Sequence, residues 1–232
     1  MIATFRNRNF SLLWLAGLVS IMGNWVLIAA LPFHIYSVTE SALATSAWLM
    51  AYILPGVLFG SVAGVFVDRW DRRKTMIGVS LLQMMVIPLL LLVQSPEWIW
   101  VVYVVGFLES MLSNFFGPAE SALLPTLVGE EHLVAANSLN SLNDNLARII
   151  GPAIGGVLLA TWGLGSVVIA DAISYLLAAV LIALIVAPPF VKAVTESEAV
   201  ENVRAKFTGV WSEWIAGLRL VVSDRALTNV FI

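Results

Sequence analysis

The stretch Gly64–Met76, GVFVDRWDRRKTM, puts six charged side chains into the seven positions from Asp68 to Lys74, with almost wholly apolar sequence on both sides. Charge this dense between apolar runs marks a boundary, and the runs it separates decide the fold. Before it, Glu40 to Asp68 encloses 27 residues free of Asp, Glu, Lys and Arg; after it, Lys74 to Glu97 encloses 22. A transmembrane helix needs roughly 20 mostly apolar residues, so both runs read as spans. Arg8 to Glu40 encloses 31 more such residues, too long for a removable signal peptide and without its small-residue cleavage site. Further on, Glu109 interrupts a fourth span, a fifth has a polar first half, and a sixth follows. The spans are expected at about 10–36, 43–67, 75–94, 98–118, 137–161 and 166–187, giving an all-α membrane protein whose residues 1–187 form a six-transmembrane-helix bundle.

Composition agrees. Hydrophobic residues make up 60% of the 232 positions and charged residues 12%, with a mean hydropathy of +0.93, far from the averages of soluble domains. There is no cysteine, which excludes disulfides, thiolate metal sites and cysteine nucleophiles. Lys and Arg sit in short clusters at the ends of apolar runs, so nucleic-acid binding is not expected. Those clusters also orient the chain. Eleven of the twelve basic residues fall at the amino terminus, in the Asp68 loop or after the sixth span, and the twelfth, Arg148, lies inside the fifth span. The positive-inside rule makes their side cytoplasmic. The expectation is a multi-pass protein of the cell membrane with a cytoplasmic N-terminus.

After the sixth span, PPF at 188–190 ends the helix. Residues 188–225 read as a cytoplasmic linker with an amphipathic helix at about 207–222, where Trp211, Trp214 and Leu218 recur at helical spacing opposite Ser212, Glu213 and Arg219. Residues 226–232 begin another apolar run, the start of a truncated seventh span, which points to an N-terminal piece of something longer.

Within the spans, Gly56, Gly60 and Gly64 put a small residue every four positions, a face that lets a neighbouring helix come close. One more step of four reaches Asp68, an acid at the C-terminal end of its helix, where the macrodipole disfavours it and a cationic or helix-N-terminal partner is expected. In the fifth span Asn137, Asn140, Asp144, Arg148, Gly151 and Gly155 share one stripe, with Pro152 within it. Asp144 and Arg148, at i and i+4, can pair and so offset their cost in the membrane. Glu109 falls near mid-membrane with Gly106, Ser110, Ser113 and Gly117 on roughly its face. Asp171 is a weaker candidate, expected within reach of interfacial water, and Asn24 and His34 are weaker again. GEEHLV at 129–134 has no second His and no metal-ligand spacing. No catalytic constellation and no cofactor motif is present.

GVFVDRWDRRK resembles the loop between helices two and three of the major facilitator superfamily, G-x-x-x-D-R-x-G-R-R/K, with Gly64, Asp68, Arg69, Arg72 and Arg73 matching and Asp71 standing in place of glycine. GPAIGG, with Gly151, Pro152, Gly155 and Gly156, is similar to the core of the superfamily's antiporter motif on helix five, although Ser138 and Ala147 stand where further glycines are expected. FFGPAESALLPTLV followed by AANSLN resembles the branch holding macrolide-efflux and enterobactin-exporter proteins. The resemblance implies the amino-terminal half of a twelve-helix transporter, with the Asp68 loop gating the cytoplasmic side against the missing C-terminal half. It also implies proton-driven export of a small amphipathic compound. Glu109, Asp144, Arg148 and Asp171 are then the candidates for coupling protons to substrate. The alternative is a stand-alone six-span interaction or regulatory module, or an inactive truncated transporter half.

Overall fold

The computed structural model describes residues 4–67 and 69–186. They form six long helices: α1 (Arg8–Thr39), α2 (Ala42–Val67), α3 (Arg72–Val86), α4 (Ile99–Val128), α5 (Leu133–Trp162) and α6 (Leu164–Ala183). A 3-10 segment, Ile87–Leu92, continues α3. All six are long and apolar enough to cross a membrane, as the run-lengths of the sequence require. Asp68, the linker 188–225 with its amphipathic helix, and the seventh-span residues 226–232 lie outside the described residues.

Local chemistry sets the helix ends. Asn7 caps α1, its Oδ1 accepting from the backbone N–H of Asn9 at 3.0 Å and of Phe10 at 3.3 Å. Its Nδ2 donates to the Leu127 carbonyl at 2.6 Å and ties the start of α1 to the end of α4. Asp71 caps α3, accepting from the Lys74 N–H at 3.0 Å in extended backbone conformation. The residue that departs from the superfamily's glycine thus satisfies an orphan donor at a helix start, a role Asp fills well. α4 and α5 both end on a glycine with φ 74°, Gly129 and Gly163, a backbone region where a Cβ is unwelcome.

One helix departs from expectation. α4 does not stop near 118 but runs on to Val128, through Pro118 and Pro125, which makes it about 45 Å long at 1.5 Å per residue. Tertiary burial holds the extension together: Ala119, Leu123, Leu124, Leu127 and Val128 are all buried, and packing outweighs local propensity.

α1 packs chiefly against α5 and α6, α4 against α2 and α3, and α3 against α6. Exchanging α1 with α4, α2 with α5 and α3 with α6 maps this pattern onto itself. Because each helix antiparallel to the last reverses direction, the two triplets are inverted repeats, the arrangement nested within each half of major facilitator transporters. Two apolar cores result. One includes Phe10, Leu13, Met76, Leu124, Ala136 and Ile182, near the start of α1. The other includes Leu27, Leu31, Trp48, Ile87, Val105 and Val168. Ser20, Ser80, Gln83, Glu109, Asn143 and Asp171 are buried polar residues of the same bundle.

The α1–α5 seam is closed by glycine. A methyl group on Gly151 would lie 2.6 Å from Trp25 Cβ, and one on Gly155 would run into the Val26 carbonyl. The glycine face of α2 behaves otherwise. Among the described residues, methyl groups on Gly56 and Gly60 would meet nothing nearer than Asn114 Oδ1, at 3.9 and 3.8 Å, and one on Gly64 would meet nothing within 4 Å. The close approach of α2 and α4 is made instead at Gly106, where an added methyl would sit 2.8 Å from Trp48 Nε1. A small-residue stripe permits close approach without saying which neighbour uses it.

Candidate functional site

Glu109 sits about a third of the way along α4, 2% exposed, where four helices meet. Its Oε1 accepts from Gln83 Nε2 of α3 at 2.8 Å, from Asn24 Nδ2 of α1 at 3.3 Å, and from the Tyr175 hydroxyl of α6. Gln83 Nε2 also donates to Ser113 Oγ at 3.0 Å, and the Tyr52 hydroxyl of α2 donates to Asn24 Oδ1 at 3.4 Å. Among the described residues, no basic residue belongs to this network. Glu109 Oε2 has no hydrogen-bond partner. The carboxyl can therefore exist in two ways. Ionised, it keeps three donors on Oε1; protonated on Oε2, it is a neutral group fit for an apolar surrounding.

Next to the network lies a cavity of about 520 Å³. Asn24, Tyr52, Gln83 and Tyr175 form one wall, and Glu120, Asn140 and Asp144 belong to the α4–α5 side. Glu120 Oε1 accepts from Asn140 Nδ2 at 3.1 Å. Among the described residues, the charged ones lining the cavity are Glu120 and Asp144, and no Lys, Arg or His lines it. It is a space of drug-like size with acidic and aromatic walls.

The structure brings Glu109, Asn24 and Ser113 of the sequence candidates into one site and puts Asp144 on the adjoining cavity. It separates others. Asp144 and Arg148 form no ion pair, despite their i, i+4 spacing. The Arg148 guanidinium lies 5.7 Å from the Trp25 ring centroid, because α1 presents that ring face beside it while Asp144 turns to the cavity. Asp171 does not reach interfacial water. It is fully buried, lies against Gly23 of α1, and its Oδ1 accepts from Ser174 Oγ at 3.3 Å. His34 Nε2 contacts the Val93 carbonyl at 3.1 Å, a local bond at one end of α1. In the charged loop, Arg73 Nε donates to the Ile182 carbonyl at 3.1 Å, and its Nη2 to that of Ala183. Arg73 thus caps the C-terminal carbonyls of α6, a favourable place for a cation.

Gln83, Tyr175, Tyr52 and Glu120 were not found by looking for charge in apolar runs. Gln83, Tyr52 and Tyr175 are uncharged, so that search passes over them. Glu120 was legible, since it lies eleven residues, about three turns, beyond Glu109 and so on the same helix face.

Six membrane-length helices in two inverted triplets, with a polar cavity and a buried carboxyl within the bundle, make the arrangement of one half of a major facilitator fold. A family model described as a transmembrane secretion effector matches residues 1–232, and the chain belongs to that family of the major facilitator superfamily, a family of multi-pass membrane proteins. It is 31% identical over 180 residues to the uncharacterized MFS-type transporter YfiS of Bacillus subtilis (strain 168), covering 77% of this chain and 42% of that protein. It is 28% identical over 215 residues to macrolide efflux protein A of Streptococcus pyogenes, covering 91% and 51%. It is also 31% identical over 159 residues to the enterobactin exporter EntS of Shigella boydii serotype 18, covering 66% and 38%. The chain spans about half the length, or less, of these curated relatives.

Proposed function

We propose that this chain forms one half of a secondary active exporter that moves a small amphipathic compound out of the cell by alternating access, driven by protons. A second six-helix half completes the substrate path, the protein sits in the cell membrane, and its N-terminus is cytoplasmic. The observation that carries this reading is the Glu109 carboxyl, buried without a cation, with three donors on one oxygen and a cavity of about 520 Å³ beside it. Glu109 carries the proton. Asp144 and Glu120 face the substrate, and walls that hold two carboxylates and no base among the described residues favour a neutral or cationic compound over an anion. Asp171 is a second buried acid one turn before Tyr175, and Arg148 is held away from Asp144 by Trp25.

The Gly64, Asp68, Arg69, Arg72 and Arg73 loop is proposed as the cytoplasmic gate. Gly151, Pro152, Gly155 and Gly156 form the antiporter motif, of which Gly151 and Gly155 hold α5 against α1.

The test is proton-driven uptake of a macrolide antibiotic into inverted membrane vesicles carrying the full-length protein. Glu109→Gln should lower the rate about tenfold or more, equivalent to roughly 1.4 kcal/mol on the barrier, while macrolide binding persists. Proton-driven uptake at the wild-type rate would remove Glu109 from the mechanism. Asp68→Asn should slow transport without changing membrane insertion, and unaltered uptake in that variant would sink the gate.

A further inference from the structure

Arg148 is the basic residue of the fifth span, and the bundle gives it a ring but no counter-charge. It lies midway along α5 (Leu133–Trp162), and its guanidinium rests over Trp25, itself near the middle of α1 (Arg8–Thr39). The charge is therefore held at mid-membrane depth. It does not run out along its stem to the headgroups, as a basic side chain nearer a helix end does. The side chain is exposed on the bundle, and among the described residues no carboxylate pairs with it. An indole face attracts a guanidinium but does not neutralise it.

Its neighbours on α5 show what covers it. Ser141, Asn145, Arg148, Pro152 and Gly156 follow one another at intervals of three or four and so share one face of the helix. Pro152 is half-buried and the other four are exposed. The polar members turn back on their own helix: Ser141 Oγ donates to the Asn137 carbonyl at 3.1 Å, and Asn145 Nδ2 to the Ser141 carbonyl at 2.7 Å. Among the described residues, a methyl group on Gly156 would meet nothing within 4 Å. Hydrocarbon is a poor cover for this face, because a cation at mid-span is costly against lipid. The substrate cavity does not cover it either. Ser141 lies on the cavity wall beside Asp144, whereas Asn145, Arg148 and Gly156 do not line it. The face thus borders the cavity without belonging to it, which is where a second half that completes the substrate path has to lie.

We infer that a helix of the second half carries an Asp or Glu at mid-membrane depth opposite Arg148, and that the two form an ion pair across the interface between the halves. A carboxylate fits the planar fork of guanidinium donors with both its oxygens, and pairing offsets the cost of each charge inside the membrane. Trp25 is the platform that keeps the guanidinium on the outer face of α5, away from Asp144 on the cavity wall. This inference rests on the second half proposed above and not on the proton-carrying role of Glu109.

The experiment is a charge swap in the full-length protein, read as Tm in lipid nanodiscs without substrate and at one pH, so that neither transport nor proton coupling enters the readout. Arg148→Glu should lower Tm by about 5 °C or more. In that background, changing one mid-span Asp or Glu of the second half to Arg should return Tm towards wild type, although the same change alone lowers it. If Arg148→Glu does not fold, Arg148→Gln combined with the neutral amide at each such acid gives the same double-mutant cycle, and a coupling at one acid is expected. A wild-type Tm for Arg148→Glu, rescue by Asp144→Arg instead, no coupling to any acid of the second half, or a second half without a mid-span acid overturns the pair. If Glu109→Gln leaves proton-driven macrolide uptake at the wild-type rate while the swap restores Tm, the proton-carrying role falls and the pair stands.

Discussion

The seams α5–α1 and α2–α4 occupy equivalent places in the two inverted triplets, and both carry glycines at steps of four. They are built differently. On α5, Gly151 and Gly155 are pressed onto Trp25 and the Val26 backbone of α1, with no room for a methyl group. On α2, Gly56 and Gly60 would admit one at ordinary contact distance, and the tight point has moved to the partner helix, where Gly106 of α4 receives the Trp48 ring. The lesson concerns what a glycine stripe says. It licenses backbone contact, but whether the contact is made inside this half or left for another helix depends on which face the stripe occupies after the bundle has formed. Beside the α2–α4 seam lie Trp48, Tyr52 and Glu109, so the looser seam is also the one next to the polar network.

Three substitutions probe this contrast. The largest effect is expected from Gly155→Leu. Its side chain has the Val26 backbone in front of it, which cannot swing aside as a flexible side chain can, and overpacking of about 3 kcal/mol or more should abolish monodisperse folded protein in fluorescence-detected size exclusion. A folded Leu variant would break the idea of a closed seam. Gly106→Ala should cost less, about 1–2 kcal/mol, because the Trp48 indole can move away. A fall in Tm that is reduced when Trp48→Phe is combined with it would locate the strain at that contact. The smallest effect is expected from Gly60→Ala, within about 0.5 kcal/mol of wild type, as for positions without close neighbours. A Tm drop as large as that of Gly106→Ala would mean that α2 and α4 close at Gly60 after all. If Gly60→Ala leaves Tm unchanged but slows transport by the full-length protein, the α2 stripe serves contacts outside this half.

Charge-free run lengths determined the number and type of elements, because a membrane span must satisfy its own backbone and so must be a long apolar helix. They did not locate every end. α4 runs ten residues past its expected stop because Leu123, Leu124 and Leu127 find a core formed with Phe10, Leu13 and Met76, which are far away in sequence. The site was legible in part for a similar reason. Glu109 announces itself by the cost of a carboxyl at mid-membrane, but its donors do not. Gln83, Asn24 and Tyr175 come from three other helices, and a neutral amide or phenol in an apolar run costs far less than a charge, so it leaves a weak trace.

Sequence by itself therefore settled the fold class, the charged loop and the acid at the centre. Transfer free energy acts residue by residue along the chain, and its record is local. Tertiary structure alone decided that Asp171 is sealed against Gly23, that Arg148 leaves Asp144 for Trp25, and that the loop's Arg73 closes the end of α6. Those outcomes depend on which faces meet across the bundle, and i, i+4 spacing on one helix carries no information about the helix opposite.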